Sequence, residues 1–209
     1  MSHQPAIHRT ETADGSLATL LCVRLCHDLG GVIGALSGAL ELFEGPEDDA
    51  LSVARDAARI LDRRLCFFRA AIGGGIGDSG VAELEPLVEG ITLGRKAMIS
   101  LEELPPGLVL RAPAAQALLI ALWLGVDALP RGGTVRASGG DGVPLSVWPD
   151  GPSAAWSPGL TSWLAGGELP VGPKLVGVPL LGAAARAAGL RIDLAMGAGG
   201  AAPVLLLSR

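Results

Sequence analysis

Between Leu51 and Ile72 the residues Leu51, Ala54, Ala58, Leu61, Leu65, Phe68 and Ile72 alternate steps of three and four without an error, and Gly73-Gly74-Gly75 ends the run. Such a heptad seam demands a helix with one side packed on another helix. From Leu17 to Phe43 a second set, Leu25, Leu29, Val32, Leu36, Leu40 and Phe43, recurs at the same spacing. Gly45-Pro46 separates the two runs, and Glu47, Asp48 and Asp49 supply the negative charge favoured at a helix start. Two long helices joined by so short a turn lie antiparallel, as a hairpin roughly 40 Å long. One hairpin alone leaves much of its seam wet, so two chains are expected to pair as a homodimer with a four-helix bundle at its centre.

Beyond the glycines the pattern shortens. Helices are predicted over 84–96, 113–129 and 178–188, and strands over 108–111, 134–138, 143–148, 190–196 and 203–208. The expected fold class is α+β: an N-terminal antiparallel helical hairpin, then an α/β sandwich with a mixed or antiparallel sheet covered by helices on one face. The domain plan is a flexible tail over 1–14, a dimerisation hairpin over 15–74, a linker over 75–82 and the α/β domain over 83–209.

Of the 209 residues 49% are hydrophobic, enough for a sizeable core, and the net charge is -5. That balance lacks the electrostatic footprint of a nucleic-acid binder and argues against attachment to acidic membranes. No basic stretch followed by an apolar one opens the chain, so a cytoplasmic location is expected. The longest apolar run, Ala117 to Val126, is about half of what a membrane span needs and reads as a core helix. Three cysteines, Cys22, Cys26 and Cys66, give no disulfide framework. Cys22, Cys26 and His27 lack a second ligand pair for a metal, so the cysteines read as small core residues.

His27 lies about 200° around its helix from Leu25, away from the apolar stripe and toward solvent. Positions 30, 31, 34 and 38, on roughly the same face, are all glycine, although each costs about 1 kcal/mol relative to Ala inside a helix. Two readings follow. The glycines flatten the surface so that another protein can approach the imidazole, or they let the two hairpin helices pack closely while His27 is merely solvated. Antiparallel pairing about the turn places His27 level with Arg63 and Arg64, cations suited to a phosphorylated imidazole, though they can equally belong to a solvated face. Asp28 can orient the ring, leaving the other nitrogen as nucleophile.

The run Leu25-Cys26-His27-Asp28-Leu29-Gly30-Gly31-Val32-Ile33-Gly34-Ala35-Leu36, with Ala39-Leu40-Glu41-Leu42 after it and Cys66-Phe67-Phe68-Arg69 ending the second helix, resembles bacterial histidine phosphotransferases of the ChpT type. Gly31-Val32 stands where that family has Ser-Pro or Gly-Pro, and Ser37 where it has Asn. The resemblance implies a dimer of hairpins carrying the active histidine, each bearing a domain shaped like a histidine-kinase ATPase domain that no longer binds ATP. The catalytic residues would be His27 and Asp28, and the partner-docking residues Arg24, Gly30, Gly31, Gly34, Arg63 and Arg64.

Leu118 to Thr134, ending Pro130-Arg131-Gly132-Gly133, is similar to the kinase helix that carries a Mg²⁺-binding Asn, but the Asn position falls on Leu124, which cannot coordinate a hard cation. In Val147-Trp148-Pro149-Asp150-Gly151 the carboxylate of the adenine-binding element is shifted by one residue, and the phosphate-cradling loop is reduced to Gly177-Val178-Pro179. The expected function is therefore a phosphorelay intermediate without autokinase activity. It would bind no cofactor, use Mg²⁺ supplied at the partner's site, and shuttle phosphate between receiver domains of a hybrid kinase and of response regulators, CtrA- and CpdR-like by resemblance. A non-catalytic dimeric scaffold or inhibitor of a sensor kinase, and a degenerate histidine kinase, remain the alternatives.

Overall fold

The computed structural model describes residues 7–45, 49–197 and 201–209. Helix α1 (Ile7–Glu41) packs along α2 (Asp49–Ala71) as the hairpin. The Pro46–Asp48 stretch of the expected turn lies outside the described residues. The tail expected over 1–14 is corrected: α1 already runs from Ile7, because 7–14 contains neither proline nor glycine and propagates the helix once it has begun. In α2 the buried positions are Ala54, Ala57, Phe67, Phe68, Ala70 and Ala71, whereas Ala58 and Leu65 of the predicted seam are exposed. The inner face is thus turned by about one residue toward α1 and the second domain, with Leu51, Leu61 and Ile72 of the seam left half-buried.

The second domain opens with β1 (Ser79–Gly80) and α3 (Val81–Thr92). This moves the boundary expected at 83 forward and takes part of the 75–82 linker into the fold. Local hydrogen bonds account for it: Glu83 Oε2 accepts the Gly80 N–H at 2.8 Å, capping α3, and Asp78 Oδ1 accepts the Ala112 N–H at 3.0 Å. Next come β2 (Ala97–Glu103), β3 (Val109–Leu110) and α4 (Ala112–Asp127). They are followed by β4 (Gly133–Gly140), β5 (Val143–Asp150) and α5 (Pro158–Leu164), then by α6 (Gly177–Ala188), β6 (Arg191–Ala195) and β7 (Val204–Ser208). The main sheet has the order β2-β4-β5-β7-β6, with β2 parallel to β4 and every other pair antiparallel.

Burial alternates along these strands. Val135 and Ala137 on β4, Leu145 and Val147 on β5, and Leu205 and Leu207 on β7 face the helices. The expected mixed sheet with helices on one face is what the chain forms. Helix α4 is buried all round from Ala117 to Val126, as a helix apolar on every side must be.

Hairpin and second domain share one core. Phe67, Phe68 and Trp123 stack edge to face, the Phe68 and Trp123 centroids 5.5 Å apart, joining α2 to α4. Gly90 lets α3 lie directly on α2, for a Cβ there would strike the Arg63 carbonyl oxygen. The second domain is therefore pressed against the hairpin at the level of His27 and below it.

Candidate functional site

His27 stands out from α1 with 78% of its side chain exposed. Its Nδ1 lies 3.1 Å from Asp28 Oδ1, and because an ionised carboxylate only accepts, this contact favours the tautomer protonated at Nδ1, which leaves the Nε2 lone pair for chemistry. One turn before it stands the exposed Val23, but after it the same face of α1 is glycine at 30, 31, 34 and 38, where a built Cβ would meet nothing within 4 Å. The close-packing reading of these glycines therefore fails within one chain, since no neighbouring helix approaches them.

Two clefts meet at the imidazole. One, of about 490 Å³, is lined by Gly31, Val53, Asp56, Arg64 and Arg95 together with His27 and Asp28. The other, of about 880 Å³, lies between α1 and the second domain, whose Ser157, Gly172, Pro173 and Lys174 form its far wall.

Asp28 is buried by contrast, its side chain 6% exposed, and Arg24 Nε donates to its Oδ2 at 2.7 Å. Arg24 was expected at the docking face. It is instead an inward residue, 6% exposed, whose Nη2 donates to Asp127 at 2.8 Å and whose guanidinium lies 4.9 Å from the Trp123 ring centroid. The i, i+4 spacing to Asp28 turns Arg24 inward with it. Arg95, in the turn after α3, reaches Asp127 at 3.3 Å and Asp28 at 4.0 Å.

Burial pushes the Asp28 carboxyl up, but the Arg24 hydrogen bond and charge, with help from His27 and Arg95, outweigh it and hold the group below its ordinary value. For Arg24 burial lowers the pKa, and Asp127 and Asp28 together more than reverse that. Burial and the like charge of Arg95 press Arg64 down.

Of the two arginines expected beside His27, the structure brings up only one. The Arg64 guanidinium donates to the Asp28 carbonyl oxygen and lines the smaller cleft. Arg63 points the other way, toward Glu89 of α3 at 3.8 Å, because it lies on the α2 face that α3 covers. The cysteines also differ from expectation. Cys22 and Cys26 are exposed on α1 and Cys66 is half-buried, since the helix turns the first two away from both α2 and the second domain. Arg95 and Asp127 went unnoticed in the sequence; the one available signal was an acidic residue closing an otherwise apolar helix.

The residues that the sequence aligns with a kinase nucleotide site pack against their neighbours. Leu124 is buried, and the first glycine of the remnant loop packs on it, a Cβ at Gly177 falling 2.8 Å from Leu124 Cδ2. The cavity left among Leu124, Asp127, Trp156, Leu160 and Lys174 holds about 70 Å³. On β5 the buried Pro149 takes the inward place while Asp150 faces out and pairs with Arg136 at 3.5 Å. A shift of one residue in a strand reverses the face a side chain serves.

Residues 81–200 match the family model of the histidine phosphotransferase C-terminal domain. The chain is 33% identical over 139 residues to the protein phosphotransferase ChpT of Brucella abortus, an alignment covering 63% of this chain and 65% of that protein, so the match spans less than two thirds of that relative's length. A solved bacterial phosphotransferase superposes with a TM-score of 0.71 at 25% identity, over 99% of this chain and 97% of its own. The histidine kinase domain of the blue-light activated kinase of Erythrobacter litoralis EL346 gives a TM-score of 0.39 at 13% identity, over 86% and 92% of the two chains.

Proposed function

The chain belongs to the histidine phosphotransferase family, and on that premise we propose that it relays phosphoryl groups through His27 between receiver-domain aspartates. The observation that carries this reading is the exposed His27, with its Nδ1 occupied by Asp28, at the head of a glycine face with nothing standing on it. A receiver holds its aspartate at the bottom of a concave acidic site, so the accepting nitrogen must project from cleared ground.

In uptake the Nε2 lone pair attacks the phosphorus of the donor's aspartyl phosphate. The P–N bond forms, the P–O bond to the aspartate breaks, and the carboxylate leaves. The Nδ1 proton stays between His27 and Asp28, where the carboxylate stabilises positive charge developing on the ring. In delivery the next receiver's carboxylate attacks the phosphorus and the P–N bond breaks. Positioning and charge neutralisation dominate such a transfer, and Mg²⁺ at the receiver's acidic site supplies the latter. A nucleotide site is not needed for such a transfer.

The relay works as a homodimer in this reading. Ile33, Leu40, Phe43, Val53 and Leu65 are exposed apolar residues along the hairpin, more than a solvated pair of helices carries without a partner. Ser16–Glu41 is long and apolar enough to cross a membrane by length and composition. It carries the Arg24–Asp28 pair, however, and packs on α2 and the second domain, so we read it as a bundle helix.

The deciding experiment incubates the protein with aspartyl-phosphorylated receiver domains carrying a phosphate label. Wild type takes up label and gives it to a second receiver, and His27→Ala takes up none. Label on His27→Ala equal to wild type rejects the relay, and labelling by neither leaves a dimeric scaffold as the reading to adopt.

A further inference from the structure

Around Asp28 four side chains close a ring of alternating charge. Arg24 Nε meets Asp28 Oδ2 at 2.7 Å, Arg24 Nη2 meets Asp127 Oδ2 at 2.8 Å, Arg95 Nη1 meets Asp127 Oδ1 at 3.3 Å, and Arg95 Nη2 returns to Asp28 Oδ2 at 4.0 Å. Two members, Arg24 and Asp28, come from α1; the other two, Asp127 at the end of α4 and Arg95 after α3, come from the second domain. Each charge has an opposite charge on both sides, which offsets much of the cost of burying Arg24 and Asp28.

The ring engages one oxygen of Asp28 and leaves the other. Oδ2 is taken by Arg24 and approached by Arg95, while Oδ1 sits 3.1 Å from His27 Nδ1. A carboxylate fixed by one oxygen cannot rotate away from the imidazole, and the imidazole cannot exchange the proton on Nδ1 for one on Nε2 without losing its acceptor.

From this we infer that Arg95 and Asp127 are positioning residues for His27: through Arg24 and Asp28 the second domain holds the imidazole in the tautomer whose Nε2 is free to attack. The inference rests on His27 as the phosphoacceptor and adds a task for the second domain that needs no nucleotide. It also separates Arg95 from an ordinary surface cation, because Arg95 borders both clefts that meet at His27 while its nitrogens are turned to the two aspartates.

The test uses the full-length protein and phosphoramidate, a small donor that phosphorylates histidine directly. Its P–N bond breaks to release ammonia as the bond to Nε2 forms, so no protein docking intervenes. Arg95→Gln and Asp127→Asn are expected to slow labelling of His27 on the order of tenfold, the size of a modest misplacement. Nitrogen-15 NMR of the His27 ring should at the same time move from an Nδ1-protonated signature toward an Nε2-protonated one. Arg95→Lys and Asp127→Glu, which keep the charges, should recover part of both.

Wild-type labelling rates with an unchanged ring signature in Arg95→Gln overturn the inference. So does slowed labelling with an unchanged signature, which makes the ring merely structural. If Asp127→Asn loses its fold by circular dichroism, Arg95→Gln decides alone, since its side chain is the least enclosed of the four. Peptide mapping of the label separates His27 from His3 and His8 and keeps the two readings apart: no label on His27 of the wild type sinks the relay, whereas label on His27 that the ring variants leave unchanged sinks this inference only.

Discussion

At the scale of single residues the site is organised by what is buried next to an exposed imidazole. Arg24 is the side chain on which both aspartates depend most closely, at 2.7 and 2.8 Å. Replacing it with Met keeps an apolar side chain beside Trp123 but leaves the buried Asp28 with only His27 on Oδ1 and the more distant Arg95 on Oδ2. Breaking a buried pair from one side costs about 3–5 kcal/mol, so Arg24→Met should lower the denaturant midpoint strongly. Adding Asp28→Asn to it should restore part of the loss, because the orphaned charge is then gone; a double variant as unstable as the sum of the singles contradicts the pairing. The Asp28 carboxyl also sets an acid limit. Its folded value lies below its unfolded one, so its contribution is present above the ordinary carboxylate range and is lost as pH falls through the depressed value. Thermal melts of the wild type should therefore drop as the pH falls below the ordinary carboxylate range of about 4, and Asp28→Asn, less stable at neutral pH, should drop less. Parallel curves for the two proteins would remove Asp28 from the acid response.

At the scale of elements the glycine face of α1 carries the sharpest contrast. Nothing lies within 4 Å of a Cβ at Gly34, so Gly34→Ala should stabilise the protein by about 0.5–1 kcal/mol through helix propensity alone. Gly34→Leu should keep helix content and oligomeric state but cripple transfer from a phosphorylated receiver, because its side chain stands where the receiver must sit. Phosphoramidate labelling of Gly34→Leu should remain near wild type, which assigns the defect to docking. A helix or dimer lost in Gly34→Leu would return the glycines to packing. Helices α1 and α2 were legible because an amphipathic period repeats many times in each, and α4 because it is apolar on every side. Strand β2 was not. It pairs with β4 alone at the sheet edge, and its Met98-Ile99 joins the apolar residues before it in a spacing that also reads as helix. Gly94, at φ +74, breaks that run, and one glycine does not announce a positive φ in the sequence. Of the site, His27, Asp28 and the bare face could be read locally, whereas Arg95 and Asp127 lie far from His27 in the chain and are joined to it only by the fold.

At the scale of the whole molecule the two predicted domains are one body where it matters, since the Phe67–Phe68–Trp123 cluster and Gly90 weld the end of the hairpin to the second domain. The composition of 73–80 reads as a tether, but its end is drawn into a two-stranded pairing with β3. What this fused body presents outward is a long apolar hairpin side, and light scattering at micromolar concentration is expected to give the mass of two chains; a monomer there would contradict the bundle. What it encloses is the packed space around Leu124, which we propose can no longer seat a nucleotide. Three changes act together in that space. Leu124 offers hydrocarbon where a cation would need oxygen, Gly177 is pressed against it, and Asp150 is turned to the outer face of β5 by the inward Pro149. The cavity that Leu124 borders holds about 70 Å³, far below the several hundred Å³ of a pocket for a drug-sized ligand, and the adjoining cleft of about 880 Å³ is lined by neither Leu124, Gly177 nor Asp150. Calorimetric titration with Mg-ATP should therefore show no saturable heat up to about 1 mM, the level corresponding to roughly -4 kcal/mol. Leu124→Asn should not create binding either, because restoring one oxygen ligand neither turns Asp150 inward nor removes Trp156 and Leu160. Saturable binding by the wild type would overturn the filled-site reading, and binding gained by Leu124→Asn alone would show that the metal ligand, not the occupied space, was the missing part.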